Sequence, residues 1–129
     1  MAKKEYIAYK GTKFTIEWYF DTNGKSQALE YLMNIDASMQ RKVFYLFKRI
    51  GDYGKINDKT KFRNEGDQIF AFKPQPDRFL SFFTKRKKII VTNAFMKKSN
   101  KLPKQEKIKA LECRKDYMKR IEEGSYYED

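Results

Sequence analysis

An α+β fold with a small antiparallel sheet, two N-terminal helices packed on one face and a C-terminal helix is predicted here by three observations. Apolar and polar residues alternate with period two through Phe14–Tyr19 and again from Ile69 to Phe95, as strands require. Apolar residues recur at spacings of three and four behind two capping residues, Ser26 and Asp36. The connections Pro74-Gln75-Pro76-Asp77 and Lys85-Arg86-Lys87 are too short for a crossover, so the strands they join run antiparallel.

Taken in order, residues 1–12 are polar, end in Gly11 and read as a loose leader. Phe14, Ile16 and Trp18 then face one way and Thr15, Glu17 and Tyr19 the other, giving a half-buried strand closed by the turn Asp21-Thr22-Asn23-Gly24. Ser26 opens a helix through Ile35 with the stripe Leu29, Leu32, Met33. Asp36 opens a second, in which Met39, Val43, Leu46, Phe47 and Ile50 line one side and Gly51 ends the run. Its Arg41, Lys42, Lys48 and Arg49 form a solvated outer face. A short strand at Thr60–Arg63 precedes three longer ones, Gln68–Lys73, Arg78–Thr84 and Lys88–Phe95. Large apolar groups occupy both faces of the last two. From Pro103 a charged helix with a ragged apolar stripe runs to Glu123, and residues 124–129 form an acidic tail.

Length and composition narrow the class. A chain of 129 residues is expected to form one domain, residues 1–129, around a single core. The net charge is +12 and the aromatic content 16%, so the chain is a packed basic domain rather than a basic tail, with nucleic acid its expected partner. No run reaches the roughly 20 apolar residues of a membrane span. The N-terminal residues show no apolar signal core, and the single cysteine, Cys113, has no partner for an intramolecular disulfide or a metal site. A cytoplasmic protein without membrane association, metal or cofactor is expected. The absence of histidine excludes Ser–His and Cys–His nucleophile pairs and imidazole-based cleavage of RNA.

Chemistry is expected where the basic residues gather. No acidic residue lies between Asp77 and Glu106, while Arg78, Lys85, Arg86, Lys87, Lys88, Lys97, Lys98, Lys101 and Lys104 do. A four-residue turn would place Lys73 opposite Arg78, and like charges set opposite each other cost roughly 0.2–1 kcal/mol. The lysine pair Lys97-Lys98 follows the next strand, and Arg63 precedes the first. Fixed guanidinium and ammonium groups stabilise the charge that develops when a 2′-oxygen attacks the adjacent phosphate. A lysine crowded by cations has its neutral form favoured and can serve as base. The same composition also suits phosphate binding without catalysis. Lys73, Arg78, Lys97 and Lys98 are the candidate catalytic groups. Arg63, Lys85, Arg86, Lys87, Lys88, Lys101 and Lys104 are the candidate RNA contacts. Tyr117, Tyr126 and Tyr127 are assigned to packing ahead of base stacking.

The segment Asn93-Ala94-Phe95-Met96-Lys97-Lys98-Ser99-Asn100-Lys101-Leu102-Pro103-Lys104 resembles the closing motif of RelE/HigB-like toxins of toxin–antitoxin systems. In that motif a last strand ends in Gly-Phe-x-Lys-Lys and leads through Thr-x-Lys-Thr-Pro into a helix. Phe14–Tyr19, Gly24-Lys25-Ser26 and Arg78-Phe79-Leu80 follow the same order upstream, so the similarity covers about residues 13–123. The resemblance implies a microbial-ribonuclease-like fold and metal-independent mRNA cleavage on the ribosome. It also implies a cognate antitoxin, expected to be a helix-turn-helix protein, that covers the basic face. It places Arg78 on the family's strand arginine, Lys97 and Lys98 on its paired lysines, and Lys73 where an arginine usually ends the preceding strand. Four positions depart from the pattern: Ala71 for glutamate, Asn93 for histidine, Ala94 for glycine and Leu102 for the capping threonine. The ParE branch shares the fold and poisons gyrase without cutting RNA, which leaves a non-catalytic binding module as the alternative.

Overall fold

Six strands form one sheet in the computed structural model, which describes residues 4–127. In chain order the elements are β1 (Ile7–Lys10), β2 (Thr15–Trp18), α1 (Gln27–Asn34), α2 (Ala37–Tyr53), β3 (Phe62–Asn64), β4 (Phe70–Phe72), β5 (Asp77–Phe83), β6 (Lys88–Met96) and α3 (Lys104–Glu123). The strand order across the sheet is β1-β2-β6-β5-β4-β3.

Both predicted N-caps are in place. Ser26 Oγ accepts from the Leu29 N–H at 3.3 Å, and Asp36 Oδ1 accepts from the Met39 N–H at 2.8 Å. The apolar stripe of α2 (Val43, Leu46, Phe47, Ile50) packs with Leu32 of α1 on Ile16, Trp18, Phe72, Phe79 and Val91 of the sheet. The opposite face is covered by α3 and the C-terminal segment, where Ala110, Tyr117 and Tyr126 meet Ile69, Ala71, Leu80, Phe82 and Ile90. A sheet buried on both faces needs apolar residues at successive positions, which is why β5 and β6 lack clean alternation.

The expected purely antiparallel sheet is corrected on one point. β3 to β6 form an antiparallel meander, but β2 pairs parallel with β6, Ile16 against Ile89 and Trp18 against Val91, so the sheet is mixed. Turn lengths reveal only neighbours in sequence; this pair is separated by five other elements. The loose leader is also corrected, because Ile7–Lys10 forms β1 and pairs antiparallel with β2. Residues 1–3 of that leader and 128–129 of the acidic tail lie outside the described residues.

Gly51 does not end α2. The helix continues to Tyr53 and is closed by Gly54 in the left-handed region, φ 82°. Gly51 is instead a contact glycine, since a Cβ there would lie 2.8 Å from the Tyr9 ring. Gly11 sits closer still: its Cβ would fall 2.2 Å from the Gly51 carbonyl carbon. Gly11→Ala must therefore push the last turn of α2 off β1. A loss of about 3 kcal/mol is expected in urea unfolding, in the range of overpacked cores. Among the described residues no helix is long and apolar enough to cross a membrane.

Candidate functional site

Strand register brings the predicted cations together. Arg63 of β3 pairs with Ala71 of β4, which pairs with Leu80 of β5. One rung further along, Lys73 falls opposite Arg78, and Arg78 pairs with Phe95 of β6. Side chains two residues apart share a face. Arg63, Ala71, Lys73, Arg78 and Phe95 consequently project from the face that α3 covers farther along the sheet. An irregularity in the β5–β6 ladder, between the Leu80–Asn93 and Ser81–Val91 pairs, leaves Thr92 as an extra residue. This bulge resets the alternation of β6 and turns Phe95 toward the same face.

The chain then holds the lysine pair in place. Lys97 N–H donates to the Pro76 carbonyl at 3.0 Å, extending the β5–β6 ladder past the end of the strands. Arg63, Ala71, Lys73, Arg78, Lys97 and Lys98 line a pocket of about 300 Å³, closed on its far side by the segment from Ser99 to Pro103 that includes Lys101. α3 starts at this rim without a side-chain cap, so the positive end of its dipole adds to the cations.

Arg78 is 8% exposed and forms no ion pair among the described residues. Its guanidinium donates to the Asp77 carbonyl at 2.9 Å and to Gln75 Oε1 at 3.2 Å, which fixes its plane without neutralising it. The neighbouring Asp77 carboxylate points to the other face, where the Tyr31 hydroxyl donates to it. Burial pulls the Arg78 pKa below its ordinary value, with Glu65 and Asp77 opposing. Lys73 is drawn down likewise, first by burial and then by Arg78, Arg63 and Lys97, against the opposing charge of Glu65.

Glu65 is the residue that sequence reasoning missed. The absence of acids after Asp77 concealed a carboxylate that enters from the β3–β4 turn. Its Oε1 lies 3.5 Å from Arg63 Nε and 3.9 Å from Lys73 Nζ. The readable signal was its place two residues past Arg63 in the Asn64–Asp67 turn, beside Ala71, where the resembled family carries its glutamate. Glu65→Gln removes the only charge that holds the Lys73 pKa up. The Lys73 titration midpoint, followed by ¹³Cε shift, is expected to fall below that of the wild type.

The remaining predicted contacts divide. Lys101 belongs to the pocket, and Lys104 is exposed one residue beyond its lining. Lys85, Arg86 and Lys87 are exposed at the opposite end of β5. At about 3.3 Å per residue that is roughly 20 Å from Arg78, so they are not part of the pocket. Lys88 is committed internally: its Nζ lies 3.2 Å from Glu17 Oε2 and 4.3 Å from the centre of the Tyr127 ring. Tyr117 and Tyr126 are buried in the core, and the Tyr127 hydroxyl donates to Glu17 Oε1 at 2.6 Å.

The departures from the resembled motif also have structural places. Asn93 is buried and donates from Nδ2 to both the backbone carbonyl and Oε1 of Glu106, each at 3.1 Å, tying β6 to the start of α3. Ala94 exchanges two hydrogen bonds with the Gln27 amide. Cys113 has its thiol pushed up to about 12, mainly by burial, which leaves it protonated and inert at neutral pH. Among the described residues no three Cys, Asp or Glu side chains are grouped so as to hold a metal ion.

Fold and site together define a small α+β protein with a cationic pocket at one end of a mixed sheet, its cations outnumbering its one carboxylate. Residues 30–115 match the family described as phage-derived protein Gp49-like (DUF891), and the chain belongs to that family, a toxin-like family of toxin–antitoxin systems. No curated protein matches the chain.

Proposed function

We propose that the protein is the toxin of a toxin–antitoxin pair, with a RelE/HigB-like fold, and that it cleaves mRNA in the cytoplasm on the translating ribosome. One observation carries this reading: Lys73, Arg78 and Lys97 converge on one pocket, with the arginine immobilised and in no ion pair among the described residues. In the proposed reaction neutral Lys73 takes the proton of the 2′-hydroxyl as its oxygen attacks the adjacent phosphorus. Arg78 stabilises the charge that builds on the non-bridging oxygens. The bond from phosphorus to the 5′-oxygen breaks, and Lys97 or Lys98 supplies a proton to that leaving oxygen. The products are a 2′,3′-cyclic phosphate and a 5′-hydroxyl. Arg63 and Lys101 hold flanking phosphates, and Glu65 keeps the pocket from excessive positive charge when it is empty. The cognate antitoxin inhibits by covering this face.

A second reading, a non-catalytic ParE-like poison or an inactive relative, is favoured by Ala71 and Asn93, which put no acid–base group where the resembled family has two. Primer extension on mRNA from translating ribosomes treated with purified protein separates the readings. New mRNA ends support the nuclease. Absent ends together with lost DNA supercoiling by gyrase support the ParE-like poison.

A further inference from the structure

Beside the pocket lies a second and larger groove of about 910 Å³, between the segment that follows α2 and the strands β3 to β5. α2 stops at Tyr53 and leaves three half-buried rings, Phe62, Phe70 and Phe83, along this wall. The Phe62 and Phe70 rings are parallel within 9° with centroids 5.4 Å apart, and Phe83 meets Phe70 edge-on at 5.0 Å. Around the rings stand Lys55, Lys59, Arg63 and Arg114, and no acidic residue lines the groove. Lys59 and Arg63 line both spaces, so the groove adjoins the pocket at the β3 edge of the sheet.

We propose that this groove is a base-stacking subsite for single-stranded RNA, occupied by nucleotides adjoining the phosphate held in the pocket. Aromatic rings within a rim of cations, of which Arg63 alone has a carboxylate partner, Glu65, among the described residues, match the two needs of a single strand: stacking for its bases and counter-charge for its backbone. The exposed amides of Asn57 and Asn64 offer hydrogen bonds to base edges. Duplex RNA keeps its bases stacked inside and has no free faces to offer such a wall. A protein partner would need acidic groups to match the rim. The volume stands near the top of the roughly 300–1,000 Å³ range of small-ligand pockets, which leaves room for more than one base. The proposal rests on the nuclease reading only in placing the scissile phosphate at Arg78.

The test uses the full chain and a 2′-O-methyl RNA decamer carrying 4-thiouridine, which cannot be cut by 2′-oxygen attack. Photo-crosslinks are expected on Phe62, Phe70 or Phe83. Phe70→Leu with Phe83→Leu keeps the apolar volume and loses the stacking faces. It should weaken decamer binding about tenfold and leave dinucleotide binding unchanged. Lys55→Glu, at an exposed position that leaves the core intact, should weaken the decamer in the same sense. Crosslinks confined to the Lys73–Lys97 pocket, or wild-type decamer affinity in the Lys55→Glu variant, overturn the subsite. So does a leucine pair that binds RNA normally and loses only a protein partner. Cleavage of unmodified RNA is scored separately. Groove crosslinks without cleavage remove the nuclease and keep the subsite, whereas equal cleavage of dinucleotide and decamer does the reverse.

Discussion

On the proposed nuclease reading, replacing Arg78 with Met is expected to lower RNA cleavage by about 10²–10³-fold, the usual loss when one fixed donor to a developing oxyanion is removed. The effect is this large because the guanidinium is already positioned. Its bonds to the Asp77 carbonyl and Gln75 hold it in place before substrate arrives, so no reorganisation accompanies the reaction. Met keeps the apolar stem between Ala71 and Phe95 and removes only the charge and its donors. The Asp77 carbonyl it releases is buried and loses this donor. A stability loss of roughly 1–3 kcal/mol is expected, about 4 °C in thermal midpoint for each kcal/mol in a chain this size. Cleavage assays and melting curves on the same preparation separate the two effects. A cleavage loss no larger than the loss of folded protein would contradict a transition-state role.

Alkali is expected to unfold the protein cooperatively above pH 10. Burial raises the phenol pKa values of Tyr19, Tyr117 and Tyr126 above the ordinary 10.0, with the Asp116 carboxylate adding to the shift at Tyr19. A raised folded pKa means that the folded chain keeps a proton the unfolded chain releases. The stabilisation is complete below pH 10 and is lost as pH climbs past it. Each phenol removes up to about 1.4 kcal/mol per pH unit, so three remove at most about 4 kcal/mol per unit. Lys73 works the other way, its lowered pKa making stability rise with pH below 10.5, but it is a single half-buried group. Tyrosinate absorbance and far-UV circular dichroism should therefore change together. Gradual ionisation of all nine tyrosines with ellipticity intact would contradict the burial of these three. Tyr126→Phe keeps the ring against Tyr117 and loses the 2.9 Å bond from the Phe20 N–H. It should cost about 1–2 kcal/mol and flatten the alkaline slope.

Local rules carried most of the architecture. Caps at Ser26 and Asp36, period-two runs and two tight connections suffice for α1, α2 and the β3–β6 meander, because each depends on residues close in sequence. β1 and the parallel β2–β6 pair stayed hidden, since a four-residue edge strand in a polar segment has no turn signal and non-local pairing leaves no local pattern. The site was legible where register fixes it: a four-residue turn is enough to set Lys73 opposite Arg78. It was illegible where the chain departs from regular geometry. Thr92 shifts the alternation of β6, and the Asn64–Asp67 turn folds Glu65 back onto Lys73. The run Lys85–Lys88 lies outside the pocket for the converse reason. Adjacent in sequence to the site strands, it sits a full strand length from Arg78, and Lys88 is already paired with Glu17. The C-terminal tail read as acidic, and Tyr126 within it, assigned to packing, is 2% exposed and closes the core beneath α3.

The chemistry of the cut ends tests the nuclease most directly. Purified protein is incubated with translating ribosomes and mRNA, and the new 3′ ends are analysed. Attack by the 2′-oxygen in a pocket of lysines and arginine predicts 2′,3′-cyclic phosphate ends, lost in the Arg78→Met variant. Free 3′-hydroxyl ends would contradict it.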